Sequence, residues 1–101
     1  MKILNSGIFP FYVYVSTNLK DFKLPKEELE RFDSDYDGLT LRVLNGNVYI
    51  HLRSKEKHII VHELFHATEF ILEYVGIPHS KKTSECYAHL LEHLTKQFYD
   101  K

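Results

Sequence analysis

Ser54-Lys55-Glu56-Lys57-His58-Ile59-Ile60-Val61-His62-Glu63-Leu64-Phe65-His66-Ala67-Thr68-Glu69-Phe70-Ile71-Leu72-Glu73-Tyr74-Val75 has the pattern of one helix. Ser54 is placed to cap its start, and Gly76 followed by Pro78 to stop it. Inside it stands His62-Glu63-Leu64-Phe65-His66. Four residues make about 1.1 helical turns, so both imidazoles leave one face and can share a metal ion. Glu63 sits one step round, beside that ion, where a carboxylate can take a proton from a water activated by the metal. Shuffling the chain would produce this string in roughly 4% of cases, so its weight comes from context. Ile59, Ile60, Val61 and Phe65 surround it, and polar groups in so apolar a segment cost stability unless paired or ligated.

Outward from this helix, the rest of the chain reads as strands first and a helix last. Residues 7–15 are rich in aromatic and β-branched side chains and predict a strand, with Pro10 favouring an edge position or a start near Phe11. Pro25 suits the first turn of a short helix ending near Phe32, with Leu29 and Phe32 facing a sheet. Residues 38–44 and 47–52 alternate in polarity on either side of Asn45-Gly46, a strong hairpin signal. Ser80 can cap a last helix running to about Phe98, with Ala88, Leu91, Thr95 and Phe98 on one stripe and Tyr87, Leu90 and Leu94 beside it. The order predicts a single α+β domain over residues 1–101 with a three-stranded sheet.

Composition narrows the function. The chain has 101 residues, 44% of them hydrophobic, which suits one core. A net charge of -1 and the lack of any Lys/Arg run argue against nucleic acid and acidic membranes as partners. No run of about 18 apolar residues is available to span a bilayer. The start is too short in its apolar part for a signal peptide. Cys86 is the lone cysteine, which excludes an internal disulfide and reads as a packed small residue. The expectation is a cytoplasmic protein of open oligomeric state. Of the seven histidines all but His51 fall at or after position 58, which directs attention to the C-terminal half.

Catalytic zinc takes three protein ligands and a water. Glu69 shares the face of His66 but lies seven residues from His62, about 10 Å along the axis and too far for one ion. The following helix is the better source. Glu85 lies near its start and could swing back if the two helices run antiparallel. His89, four residues on, remains an alternative ligand or an outer partner of an imidazole.

A glutamate on the helix after H-E-x-x-H resembles the gluzincin metallopeptidases, and Ser84-Glu85-Cys86-Tyr87-Ala88-His89 resembles their glutamate-bearing helix. The short length and the hairpin before the motif are similar to single-domain minimal gluzincins and small phage-encoded metallopeptidases. The resemblance covers about residues 47–94. It implies a zincin-like fold, Zn2+ held by His62, His66 and Glu85, and Glu63 as general base and acid in cleaving peptide bonds. It also implies that residues 47–52 form a sheet edge that pairs with an extended peptide or protein substrate. The family often carries Asp where His89 stands. Oxyanion stabilisation could come from His51, His79, Tyr87, His89 or His93. The alternative function is a catalytically silent, zinc-stabilised binding or inhibitor module. Asp33-Ser34-Asp35-Tyr36-Asp37-Gly38 opens like a calcium loop, but Leu44 stands where the closing glutamate belongs, so it reads as an acidic turn.

Overall fold

The computed structural model describes residues 1–32, 35–43 and 45–100. Its elements are β1 (Lys2–Ser6), β2 (Phe9–Ser16), a 3-10 turn (Leu19–Phe22), α1 (Lys26–Glu30), β3 (Gly38–Arg42), β4 (Val48–Leu52), α2 (Lys57–Tyr74) and α3 (Ser84–Tyr99). This is an α+β fold around a mixed sheet of order β1-β2-β4-β3. β1 and β3 run antiparallel to their neighbours, and β2 and β4 pair in parallel.

The sheet therefore has four strands where the sequence pattern predicts three. The added strand is β1, whose Leu4 and Ser6 are buried against β2. β2 is an inner strand despite Pro10. The β1–β2 register shifts between Asn5 and Ser6, and β4 pairs only with residues from Val13 to Ser16. Pro10 thus occupies a stretch where no ladder needs its missing N–H.

β4 is also an inner strand, and all five of its residues are buried. Residues 47–52 are therefore not the sheet edge expected of them. Val48, Ile50 and Leu52 join a core with Ile60, Leu64 and Ile71 of α2 and Leu90 and Leu94 of α3. Tyr49 faces the other way, into a smaller cluster with Phe22 and Phe32, against which Leu29 and Tyr14 pack. The 3-10 turn and α1 so cover part of the second face. The strand hairpin predicted around Asn45-Gly46 forms, with Gly46 at φ +90°. Leu44, at the end of the first predicted arm, lies outside the described residues.

Both helices start later than their predicted caps. Ser54 accepts from the Glu56 N–H but stands three residues before α2. α3 begins at Ser84, and Thr83 rather than Ser80 precedes it. Gly76, at φ +84°, ends α2 as predicted, with the Ile77 N–H returning to the Leu72 carbonyl. Among the described residues no helix is long and apolar enough to cross a membrane.

Candidate metal centre

The inner side of α2 is set by Ile60, Leu64, Ala67 and Ile71, all buried. That phase fixes where the motif residues go. Glu63 turns towards β3, while His62 and His66 stand at the rim, their side chains 65% and 43% exposed. The two Nε2 atoms lie 3.1 Å apart and the rings meet nearly perpendicular. Two imidazoles on a tetrahedral zinc, each about 2.0–2.1 Å from it, hold their nitrogens about 3.4 Å apart. The pair therefore already has nearly the spacing of two ligands.

Glu69, three residues on, accepts from His66 Nδ1 at 2.9 Å. With the proton held on Nδ1, the lone pair of His66 is left on Nε2, the atom aimed at His62. A carboxylate behind a metal-binding imidazole is a common support for such a ligand.

Glu63 is the buried member of the group, with only 7% of its side chain exposed. Thr40 on β3 donates its hydroxyl to Glu63 Oε1 at 2.7 Å. The other oxygen, Oε2, lies 4.0 Å from His62 Nε2. One oxygen is thus anchored to the sheet and the other faces the imidazoles. The close approach of helix and strand depends on Gly38. A Cβ there would stand 2.8 Å from Glu63 Cγ and 3.1 Å from Ile59 Cγ2. The sequence pattern does not single out Thr40 or Gly38, and it weighs Glu69 only as a direct ligand. The alternation of β3 makes Thr40 look like an outward polar residue, and only its partner 23 positions later explains its burial.

Glu85 is not brought to this group. Tyr87, Leu90 and Leu94 are the buried residues of α3 and define its inner side. Glu85 precedes Tyr87 by two residues, about 200° round the helix. Its side chain is 83% exposed and lies 3.4 Å from His89 Nε2. Among the described residues no group of three or more His, Cys, Asp or Glu side chains is gathered to hold a metal ion. The two imidazoles fit a divalent cation; a third protein ligand is not assembled beside them.

No protein-family model matches the chain, and neither a curated protein nor a solved structure matches it. The case for the site rests on the chain's own residues.

The remaining candidates sort by what they already bind. His51 is buried on the second face of the sheet, between the Tyr36 hydroxyl and the Thr17 carbonyl, and burial followed by Arg53 lowers its pKa against the raising effect of the Thr17 hydrogen bond. It is a packing residue. Tyr87 gives its hydroxyl to the Ile77 carbonyl; burial, then Glu73 and Glu69, raise its pKa. His93 contacts Asn5, and His89 contacts Glu85. His79 stacks on Tyr87 with ring centroids 4.4 Å apart and stands edge-on to Phe65 of α2. Of the five oxyanion candidates it alone makes no hydrogen bond or ion pair among the described residues. Cys86 is exposed, contrary to its reading as a packed residue. In the acidic turn, the Asp37 carbonyl accepts from the N–H groups of Arg53 and Ser54 and Asp35 lies 3.6 Å from Arg53. Asp33 and Ser34 of that turn lie outside the described residues.

Proposed function

We propose that the chain is a zinc-dependent peptide hydrolase of the gluzincin kind, with His62 and His66 holding the cation and Glu63 moving the proton. The observation that carries this reading is the pair of Nε2 atoms 3.1 Å apart, with Glu69 behind one ring and Glu63 alongside. A divalent cation, when bound, polarises a substrate carbonyl and makes water acidic enough to attack near neutral pH. Glu63 takes the proton of the attacking water on Oε2 and passes it to the leaving amine. Thr40 keeps that carboxylate from swinging away from the imidazoles. Glu69 fixes the ring of His66.

Substrate would lie along β3, the edge strand beside α2. Val43 donates to the Asn47 carbonyl, and the Asp37 carbonyl accepts from Arg53. By antiparallel alternation, odd-numbered residues of β3 pair with β4, and Gly38, Thr40 and Arg42 turn their main-chain groups outwards. An extended peptide can add to that rim, a few ångströms from Glu63.

Glu85 becomes the third ligand only through a turn of α3 that takes it off His89. A Glu85→Gln variant that binds zinc more weakly than the wild type supports that turn; unchanged binding leaves the third position to water.

The deciding experiment is Glu63→Gln, which keeps an oxygen for Thr40 and removes the base. It should bind zinc as the wild type does and lose about 10²- to 10⁴-fold in peptide hydrolysis. The outward position of Glu85 favours a second reading, a silent binding or inhibitor module in which Glu63 only ties α2 to β3. That reading predicts no turnover in the zinc-loaded wild type and no functional change in Glu63→Gln.

A further inference from the structure

Arg42 is the last residue of β3 and lies on the same face as Gly38 and Thr40, towards α2. Its guanidinium lies over two rings of α2, 6.0 Å from the centroid of Phe70 and 5.2 Å from that of Tyr74. The rings hold the planar group at one place without using its in-plane N–H donors. No described carboxylate pairs with it, and its residue is exposed. The nearby acids are engaged elsewhere. Glu69 holds His66, and Glu28 holds Arg31.

The position of Arg42 along the rim gives the charge a use. Thr40 is at the level of Glu63, and Arg42 is two residues further, about 6.8 Å along the strand. Side chains directly opposite across a ladder share a face. A residue of a guest peptide paired opposite Arg42 would therefore place its side chain beside this guanidinium. The rim also changes there. Arg31 Nη1 donates to the Arg42 carbonyl at 3.1 Å, which leaves the Arg42 N–H as the last outward group of the row open to a guest.

We propose that Arg42 is a specificity residue of the β3 rim, which selects extended peptides bearing an Asp or Glu about two residues from the one opposite Thr40. The proposal rests on the hydrolase reading for the place of cleavage, but not for the binding itself. An exposed ion pair of good geometry, held by stacking, should favour the acidic peptide about fivefold.

The test uses the full chain with one zinc equivalent and a peptide mixture in which Asp, Glu, Asn, Gln and Lys are varied at each position. The wild type should cleave peptides with the acid at one fixed position about fivefold faster than their amide counterparts. Arg42→Gln should lose that preference, Arg42→Lys should keep part of it, and Arg42→Glu should invert it towards Lys. Cleavage without an acidic preference, or an unchanged preference in Arg42→Gln, overturns the proposal and leaves the hydrolase reading standing. If the wild type cleaves nothing, the hydrolase reading fails, and fluorescence anisotropy with labelled acidic and amide peptides decides the proposal alone. Tighter binding of the acidic peptide that disappears in Arg42→Gln supports it; equal affinities overturn it.

Discussion

The two outer strands of the sheet are finished in opposite ways. At β1 the edge is closed by α3. Gln97 accepts from the Asn5 N–H and donates to the Asn5 carbonyl, so one side-chain amide satisfies both groups. Lys2 donates to the Phe98 carbonyl, and His93 meets the Asn5 side chain. At β3 no described side chain covers the main chain at Gly38 and Thr40 in this way, and α2 leans over the strand with Glu63, His62 and His66. Unpaired edges invite aggregation, and natural proteins usually blunt them. This chain blunts one edge with a dedicated side chain and leaves the other beside its best-formed chemical group.

The same contrast runs through the two helices. α3 carries Glu85, Cys86, His89 and His93, an assortment as rich in ligand types as that of α2. Yet Glu85 and His89 pair with each other, His93 meets the β1 edge and Cys86 stands exposed. In α2 the groups converge because the buried face of the helix, the glycine at 38 and the hydroxyl at 40 fix their directions. Residue types propose a site; helix phase decides whether one forms.

The largest effect that separates the two sides should be on metal affinity. Glu69→Gln removes the carboxylate behind His66 and should weaken zinc binding about 10- to 100-fold. His89→Ala, on α3, should leave it unchanged. A zinc titration of both variants checks this, and equal losses would erase the distinction between the helices.

Next comes the close contact at β3. Gly38→Ala would push against Glu63 and Ile59 and should cost about 1–3 kcal/mol in urea unfolding. At the opposite edge, Gln97→Ala removes both hydrogen bonds to Asn5 and a longer one to the His93 carbonyl, all exposed, and should cost about 1 kcal/mol. It should also raise self-association at high concentration, because β1 is then uncovered.

The smallest effect concerns His51, on neither side. Its pKa in the folded chain lies below the ordinary value of 6.5. The unfolded chain therefore takes up the proton first as pH falls. The stability His51 contributes is fully present above about 6.5 and is lost as pH falls from there through the lower folded value. Melting temperatures at pH 7.5 and 5.5 should fall less with acid in His51→Asn than in the wild type.

Much of this was legible in the sequence. The helical pattern of α2 and the hairpin around Asn45-Gly46 rest on local chemistry, and they stand in the structure. The strand order was not legible. Tyr49 and His51 look like an outward-facing set, and only their burial under Phe22, Phe32 and Tyr36 shows β4 to be internal. β1 was missed because Lys2–Ser6 buries only two residues and shows no clear alternation. Glu85 shows the limit most sharply. Its distance in sequence from His66 suits a third ligand, but with Tyr87 on the inner side of α3 it points outwards. The packing of α3 sets that phase, through contacts remote in sequence.

The most direct measurement is a calorimetric zinc titration of the wild type, His62→Ala, His66→Ala and a Glu85→Gln/His89→Ala double variant. The account predicts one zinc per wild-type chain, binding weakened at least 100-fold by either change in α2 (about 2.7 kcal/mol), and binding retained in the α3 double variant at no worse than a tenth of wild-type affinity (about 1.4 kcal/mol). Zinc binding that survives both α2 changes and disappears in the α3 variant, or a wild type that takes up no zinc, would contradict it.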